Sequence, residues 1–154
     1  MRIVKAMPQA PGMTLAEAED FLAKQKTPMR LGTVDSDGDP QIHPVWYYFN
    51  SGRLYLMSDK SVRKIQNIKG KSTVYFSIDT DETPNKGVKG KGTAQIITEK
   101  ADLARVYRAY WKTHPVFMLL GIGLRIWIEM LLGNRVVVRV DPDEPNPLAG
   151  VDEI

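Results

Sequence analysis

The 154 residues predict a mainly β fold, a small antiparallel barrel of six strands decorated by about four helices. Three observations carry this expectation. From Met29 onward the apolar period is two, and the first three strand-like runs are joined by turn sequences too short for the crossovers that parallel strands need. Segments with helical period stand before, between and after the strands rather than alternating with each one. The composition, 43% hydrophobic and 25% charged, is that of a globular domain, and the length suits one domain, 1–154, with a core of its own. Disorder, collagen and coiled coil are excluded on the same grounds.

The first helix is announced by Thr14-Leu15-Ala16-Glu17, a capping box in which the Thr14 hydroxyl and the Glu17 carboxylate satisfy each other's backbone N–H. Leu15, Ala18, Phe21 and Leu22 share one face, and Pro28 marks the end. Met29–Val34 reads as a strand, Asp35–Pro40 as a turn, Gln41–Phe49 as a second strand, Asn50-Ser51-Gly52 as a tight turn and Arg53–Met57 as a third strand, together a meander. After a polar stretch from Ser58, Val62–Ile68 forms a short helix. Thr73–Ile78 is the fourth strand, Asp79–Lys86 a polar loop and Gly87–Ile97 a long fifth strand. In the fifth, Val88, Gly90, Gly92, Ala94 and Ile96 face one way. Repeated glycine inside a strand implies a bend, a neighbouring backbone or a ligand in close approach.

Thr98 is placed to cap a helix running to about Lys112, with Leu103, Val106, Tyr107, Tyr110 and Trp111 inward, and Pro115 breaks it. Val116–Leu132 is apolar at 13 of 17 positions. It falls short of the roughly 20 residues of a transmembrane helix and contains Arg125 and Glu129, spaced to pair. No membrane span is expected. Burial against the barrel or a second subunit is favoured over peripheral membrane contact, and a helix with this much apolar face points to a dimer. Arg135–Val140 is a final buried strand. The acidic tail, 141–154, holds three prolines and reads as extended.

Composition also limits the chemistry. The chain has no cysteine, which excludes disulfides, iron–sulfur clusters, thiolate metal sites and cysteine nucleophiles. Two histidines, His43 and His114, cannot make a three-histidine zinc site. An enzyme with so little equipment leaves the chemistry to a cofactor. The formal net charge is only +3, so the location of the charges matters more than their sum. The N-terminal residues 1–13 lack the apolar core of a secretory signal, and a cytoplasmic protein is expected.

The most chemically pointed segment is Ser58-Asp59-Lys60-Ser61-Val62-Arg63-Lys64-Ile65-Gln66-Asn67. It gathers hydroxyls and cations where a strand ends and a helix begins. A phosphate suits such a place, because free helix N–H groups, a bidentate Arg and a point-charge Lys all favour an anion. The same pattern also suits an ordinary solvated turn with a polar cap. His43-Pro44-Val45-Trp46-Tyr47-Tyr48 is the second candidate, a strand able to lie along a planar ligand, although aromatics in a strand are commonly core residues. Asp35-Ser36-Asp37-Gly38-Asp39 fails as a calcium loop. Glycine stands fourth rather than sixth, and Trp46 holds the twelfth position that needs Glu.

With these residues in view, the sequence resembles the pyridoxamine 5'-phosphate oxidase-like split β-barrel superfamily, whose members bind flavin or deazaflavin. The likeness runs from about Thr14 to Ile97, with a looser match through Arg135–Val140. It is most specific in Leu54-Tyr55-Leu56-Met57-Ser58, then Arg63-Lys64 and Asn67. The resemblance implies an FMN-binding split barrel in which Ser58, Ser61, Arg63 and Lys64 hold the cofactor phosphate, supported by Lys60 and Asn67. His43, Pro44, Val45 and Trp46 would run along the isoalloxazine, largely by backbone. It further implies a homodimer with the cofactor between subunits, residues near Gly87–Lys89 lining the site, and an oxidoreductase acting on a small-molecule substrate. A deazaflavin reductase and a non-catalytic flavin store are the alternatives, and haem, resting on His43 alone, is disfavoured. No catalytic residue or metal ligand is assigned. The tail lacks a basic cluster for a phosphorylated pyridoxine, which argues against pyridoxamine phosphate oxidation itself. A nucleic-acid domain using Lys60–Lys71 is a distant alternative from another class, opposed by the small net charge.

Overall fold

The computed structural model describes residues 13–80 and 87–143. Its elements are α1 (Leu15–Lys24), β1 (Met29–Val34), β2 (Pro40–Val45), β3 (Tyr48–Asn50), β4 (Arg53–Asp59), α2 (Arg63–Gly70), β5 (Thr73–Asp79), β6 (Gly87–Ile97) and α3 (Lys100–Thr113). There follow α4 (Pro115–Phe117), an irregular widened turn at Met118–Ile122, α5 (Gly123–Leu131) and β7 (Arg135–Pro142). All strand pairs are antiparallel, in the order β2-β1-β5-β6-β7-β4-β3, and the sheet curls into a half-barrel.

The barrel has seven strands where the sequence suggested six, because the run Gln41–Phe49 breaks between β2 and β3. The cause is local. Tyr47 turns into the core, where its hydroxyl donates to the Leu22 carbonyl at 2.9 Å. The carbonyls of Trp46 and Tyr47 are bonded by α3 and its cap instead of by a strand: the Tyr110 hydroxyl donates to Trp46 O at 2.8 Å, and His114 Nε2 lies 3.1 Å from Tyr47 O. The Tyr110 oxygen also accepts from the Met57 N–H at 3.1 Å, so one buried phenol ties β4 to the break. Beyond β3, Ser51 and Gly52 both have positive φ, the geometry of a two-residue hairpin turn.

Two apolar cores lie on opposite faces of the sheet. Inside the half-barrel, Ala18, Leu22, Leu31, Leu56, Ile65, Ile68, Val74 and Val138 pack beneath α1 and α2. On the outer face, Tyr55 and Val137 meet Leu103, Val106 and Tyr110 of α3, with Met118 and Ile126 beyond. Because side chains alternate along a strand, Leu54, Leu56 and Ser58 point inward while Tyr55 and Met57 point to α3. The glycines of β6 answer to neighbouring protein atoms: a Cβ on Gly90 would lie 2.7 Å from the Phe76 ring, and one on Gly92 would lie 2.6 Å from the Asp141 carbonyl oxygen.

The Thr14–Glu17 capping box is present. Other boundaries shift. α1 ends at Lys24, before Pro28, with Gln25 N bonded to Phe21 O at 2.9 Å. α3 is capped at Glu99 rather than Thr98, without a side-chain cap bond. Asp141 and Pro142 belong to β7 and not to a tail; residues 144–154, like 81–86 of the polar loop, lie outside the described residues.

The apolar run 116–132 is one helix only in sequence. At Leu120 (ψ 22°) and Gly121 (φ 85°) it leaves helical geometry. It buries Met118, Gly123 and Ile126, but Val116, Leu119, Leu120, Leu124, Leu131 and Leu132 stay exposed. The barrel therefore covers only one side of it. Arg125 and Glu129 pair at 2.8 Å as their spacing suggests. Among the described residues no single helix is long and apolar enough to cross a membrane.

Candidate functional site

The end of β4 leads through Asp59–Val62 into α2, and Asp59 organises this turn. Its Oδ1 accepts from Ser61 N at 2.7 Å and Ser61 Oγ at 2.6 Å, and these bonds hold its carboxyl below the usual range. Lys60 is drawn towards the segment before β7: its N–H donates to Asn134 O and its Nζ to Gly133 O, both at 2.9 Å. Ser58 is buried, and its hydroxyl donates to the Asp59 carbonyl at 3.3 Å.

α2 then opens with two cations. Val62 occupies its N-cap without a side-chain bond, and the first turn has no acidic residue. Neither Arg63 nor Lys64 forms a salt bridge among the described residues. Arg63 is exposed and within electrostatic reach of Asp35, whose carboxylate is already engaged by the N–H groups of Asp37 and Asp39 and by Gln41. Lys64 is half-buried. Loss of solvent, and then the nearby Arg135 guanidinium, press its ammonium pKa down. Arg135 is largely buried and bonded to Glu129 at 2.5 Å. A partly desolvated ammonium beside a guanidinium, with no salt bridge among the described residues, is costly without an anion.

His43 joins this cluster from β2. Burial first, then the charges of Lys64 and Arg63, lower its pKa below the ordinary value of 6.5. Its Nε2 lies 3.2 Å from Thr33 Oγ1, and the same oxygen accepts from Asn67 Nδ2 at 2.9 Å. A bridge of three polar side chains thus fixes α2 to β1 and β2 beneath the cationic pair.

The sequence-predicted residues therefore divide. Ser58, Lys60, Ser61, Arg63, Lys64, Asn67 and His43 gather around the start of α2. Ser61 is committed to Asp59, and Asn67 to Thr33. Val45 is buried in the inner core and Pro44 is exposed. Trp46 lies on the outer face, its ring 4.8 Å from His114 and 5.2 Å from Phe117. The strand from His43 to Trp46 does reach both regions, but its aromatic ring packs under α3 and not beside Arg63. Thr33 and Arg135 are the residues missed from sequence. Thr33 had a signal: it is the one polar side chain on the inward face of β1, in register with Met29 and Leu31. Arg135 had none, since only strand pairing sets it opposite Asp59.

The sequence profile of the pyridoxamine 5'-phosphate oxidase family matches residues 14–146, most of the chain. This chain belongs to the pyridoxamine 5'-phosphate oxidase family. The match also takes in the α3–α5 region, which lies between the likeness seen from Thr14 to Ile97 and the looser one through Arg135–Val140. No curated protein sequence matches the chain. Among solved structures, this family member is similar to the conserved hypothetical protein Rv2991 from Mycobacterium tuberculosis, at TM-score 0.72 and 23% identity over 91% of this chain and 94% of that one. HutZ, the heme storage protein from Vibrio cholerae, superimposes at TM-score 0.67 with 17% identity, over 86% and 93% of the two chains. An F420 reductase does so at 0.59 with 18% identity, over 81% and 93%. At these identities the likeness establishes the split-barrel fold.

Proposed function

We propose that this protein is a flavin-dependent oxidoreductase that binds FMN, or a deazaflavin coenzyme, with the cofactor phosphate at the opening of α2. The observation that carries the reading is the pair Arg63–Lys64, two cations at a helix N-terminus without a salt bridge among the described residues, one of them half-buried. A phosphate there would offset the repulsion between Lys64 and Arg135 and accept from the N–H groups of Arg63 and Lys64. The donor set thus fits the group that the family implies.

When bound, the flavin supplies hydride and electron transfer. The chain's part is to hold and shield it. Arg63 and Lys64 bind the phosphate, Ser58 and the Asp59–Ser61 turn shape the loop, and Lys60 anchors that loop to the segment before β7 through Gly133. The Thr33–His43–Asn67 bridge fixes α2 against the sheet. His43 stays neutral at pH 7 beside the cations. Flavin is preferred to haem because both histidines already engage Nε2 within the fold, His43 with Thr33 and His114 with the Tyr47 carbonyl. A homodimer with the cofactor between subunits, a small-molecule substrate and a cytoplasmic location complete the proposal.

The test is the visible spectrum of the purified protein, with any released cofactor identified by mass spectrometry. A flavin or deazaflavin spectrum, native or after reconstitution, is expected. A colourless protein that refuses both FMN and deazaflavin would refute the reading. Cofactor bound without reduction by a nicotinamide donor or reoxidation by substrate would point to a store. Sedimentation should show a dimer when loaded; a loaded monomer would remove the shared site.

A further inference from the structure

The apolar segment after α3 is not explained by cofactor binding. Leu119, Leu120, Leu124, Trp127, Leu131 and Leu132, from the widened turn through α5, are 44–75% exposed, and Leu124, Trp127 and Leu131 share one face of α5 by their helical spacing. The inward side is fully engaged: Met118 and Ile126 enter the outer core, and the Tyr107 hydroxyl donates to Gly123 O at 3.1 Å. So many large apolar side chains left exposed within residues 119–132 mark an interaction face.

Charge indicates what covers it. The cations left exposed around it are Arg108, Lys112 and Arg125, whereas Arg105 is paired with Asp102 at 2.7 Å and Arg135 is largely buried; the one acid between Leu103 and Arg135 is Glu129. Glu129 is held between Arg125 and Arg135 and is itself largely buried, whereas the Arg125 side chain is 76% exposed. Arg108, Trp111 and Lys112 form one exposed stripe of α3, and the Trp111 ring reaches the start of α5 at Gly123. Trp127 lies beside Tyr107, ring centroids 5.7 Å apart. Leucines flanked by half-exposed tryptophans and rimmed by arginine and lysine form the pattern of a helix lying in a bilayer interface.

We propose that α4–α5 is a peripheral membrane-docking surface for anionic lipid. A second copy is the weaker occupant, since a two-fold contact through this face would set its cationic rim against itself. Crossing the bilayer is also excluded for this segment. It would need α3 as the other half of a pair bent by 108°, and α3 is committed to the outer core by Val106 and Tyr110.

The test is sedimentation of the full chain with phosphatidylcholine–phosphatidylglycerol vesicles and with phosphatidylcholine vesicles. Binding to the anionic vesicles, weaker binding to the neutral ones and weakening by salt are expected. Arg108→Ala with Lys112→Ala should lower anionic partitioning about tenfold or more. Leu120→Glu with Leu124→Glu should abolish it while thermal unfolding and oligomeric state stay unchanged, because both side chains are exposed. Trp127 fluorescence should be quenched by brominated acyl chains. Failure to bind either vesicle overturns the proposal. So does a glutamate variant that binds as well as wild type, or one that falls apart into smaller species, which would make the face a contact between copies. Cofactor binding is read separately and does not bear on the outcome.

Discussion

Lys64→Met separates a cofactor-binding lysine from a merely solvated one, because it predicts two effects of opposite sign. In the free protein Lys64 is half-buried, its ammonium pushed towards the neutral form by lost solvent and by Arg135. It has no salt bridge among the described residues to offset this. Methionine keeps most of the stem's packing and removes the charge. The free variant should therefore unfold at an equal or higher temperature than wild type. For FMN the sign reverses. A hydrogen bond to a charged group contributes about 1.5–3 kcal/mol, which corresponds to about 10–150-fold in affinity. The assay is quenching of FMN fluorescence for the dissociation constant, with a thermal melt of the cofactor-free protein beside it. Weaker FMN binding with undiminished stability is the expected pair. Unchanged FMN affinity, or a free protein that loses stability, would refute the reasoning, the second because it would give Lys64 an anionic partner within the fold.

Other predictions follow from the same geometry. Tyr110→Phe leaves the partly buried Met57 N–H and Trp46 carbonyl without their partner and should destabilise by about 1–3 kcal/mol, read by urea unfolding. Gly90→Val forces a side chain into the Phe76 ring and should cost about 1–3 kcal/mol, with Phe76→Leu restoring part of the loss in the double variant. His43 and His114 both have pKa values depressed in the fold, so the unfolded chain binds more protons. Their contribution is present above about pH 6.5 and is lost as pH falls through their folded values. Thermal midpoints should thus decline from pH 7 to pH 5, and His114→Gln should flatten that decline.

The barrel was legible where local pattern and tertiary demand agree. The Thr14–Glu17 box, the Ser51-Gly52 turn and the alternation in β6 need only near neighbours, and each stands where the sequence places it. The break at Trp46-Tyr47 was not legible, because it depends on a phenol 64 residues away from Trp46. The loop before α2 was visible as a cluster of hydroxyls and cations. Its internal order was not: Asp59 takes Ser61, Asn67 takes Thr33, and Arg135 arrives by strand pairing. The segment 116–132 was recognised as too apolar for one barrel wall, but Gly121, with φ 85°, turns it into a broken pair of helices with an exposed outer face.

The central claim is that the opening of α2 binds a cofactor phosphate. Titration of the wild-type protein with FMN and with riboflavin, side by side, tests it most directly. The two ligands share the ring and differ in the phosphate. FMN should bind about 10–150-fold more tightly, and Arg63→Ala or Lys64→Ala should weaken FMN while leaving riboflavin unchanged. Equal affinity for the two ligands, or riboflavin weakened as much as FMN by either substitution, would contradict it.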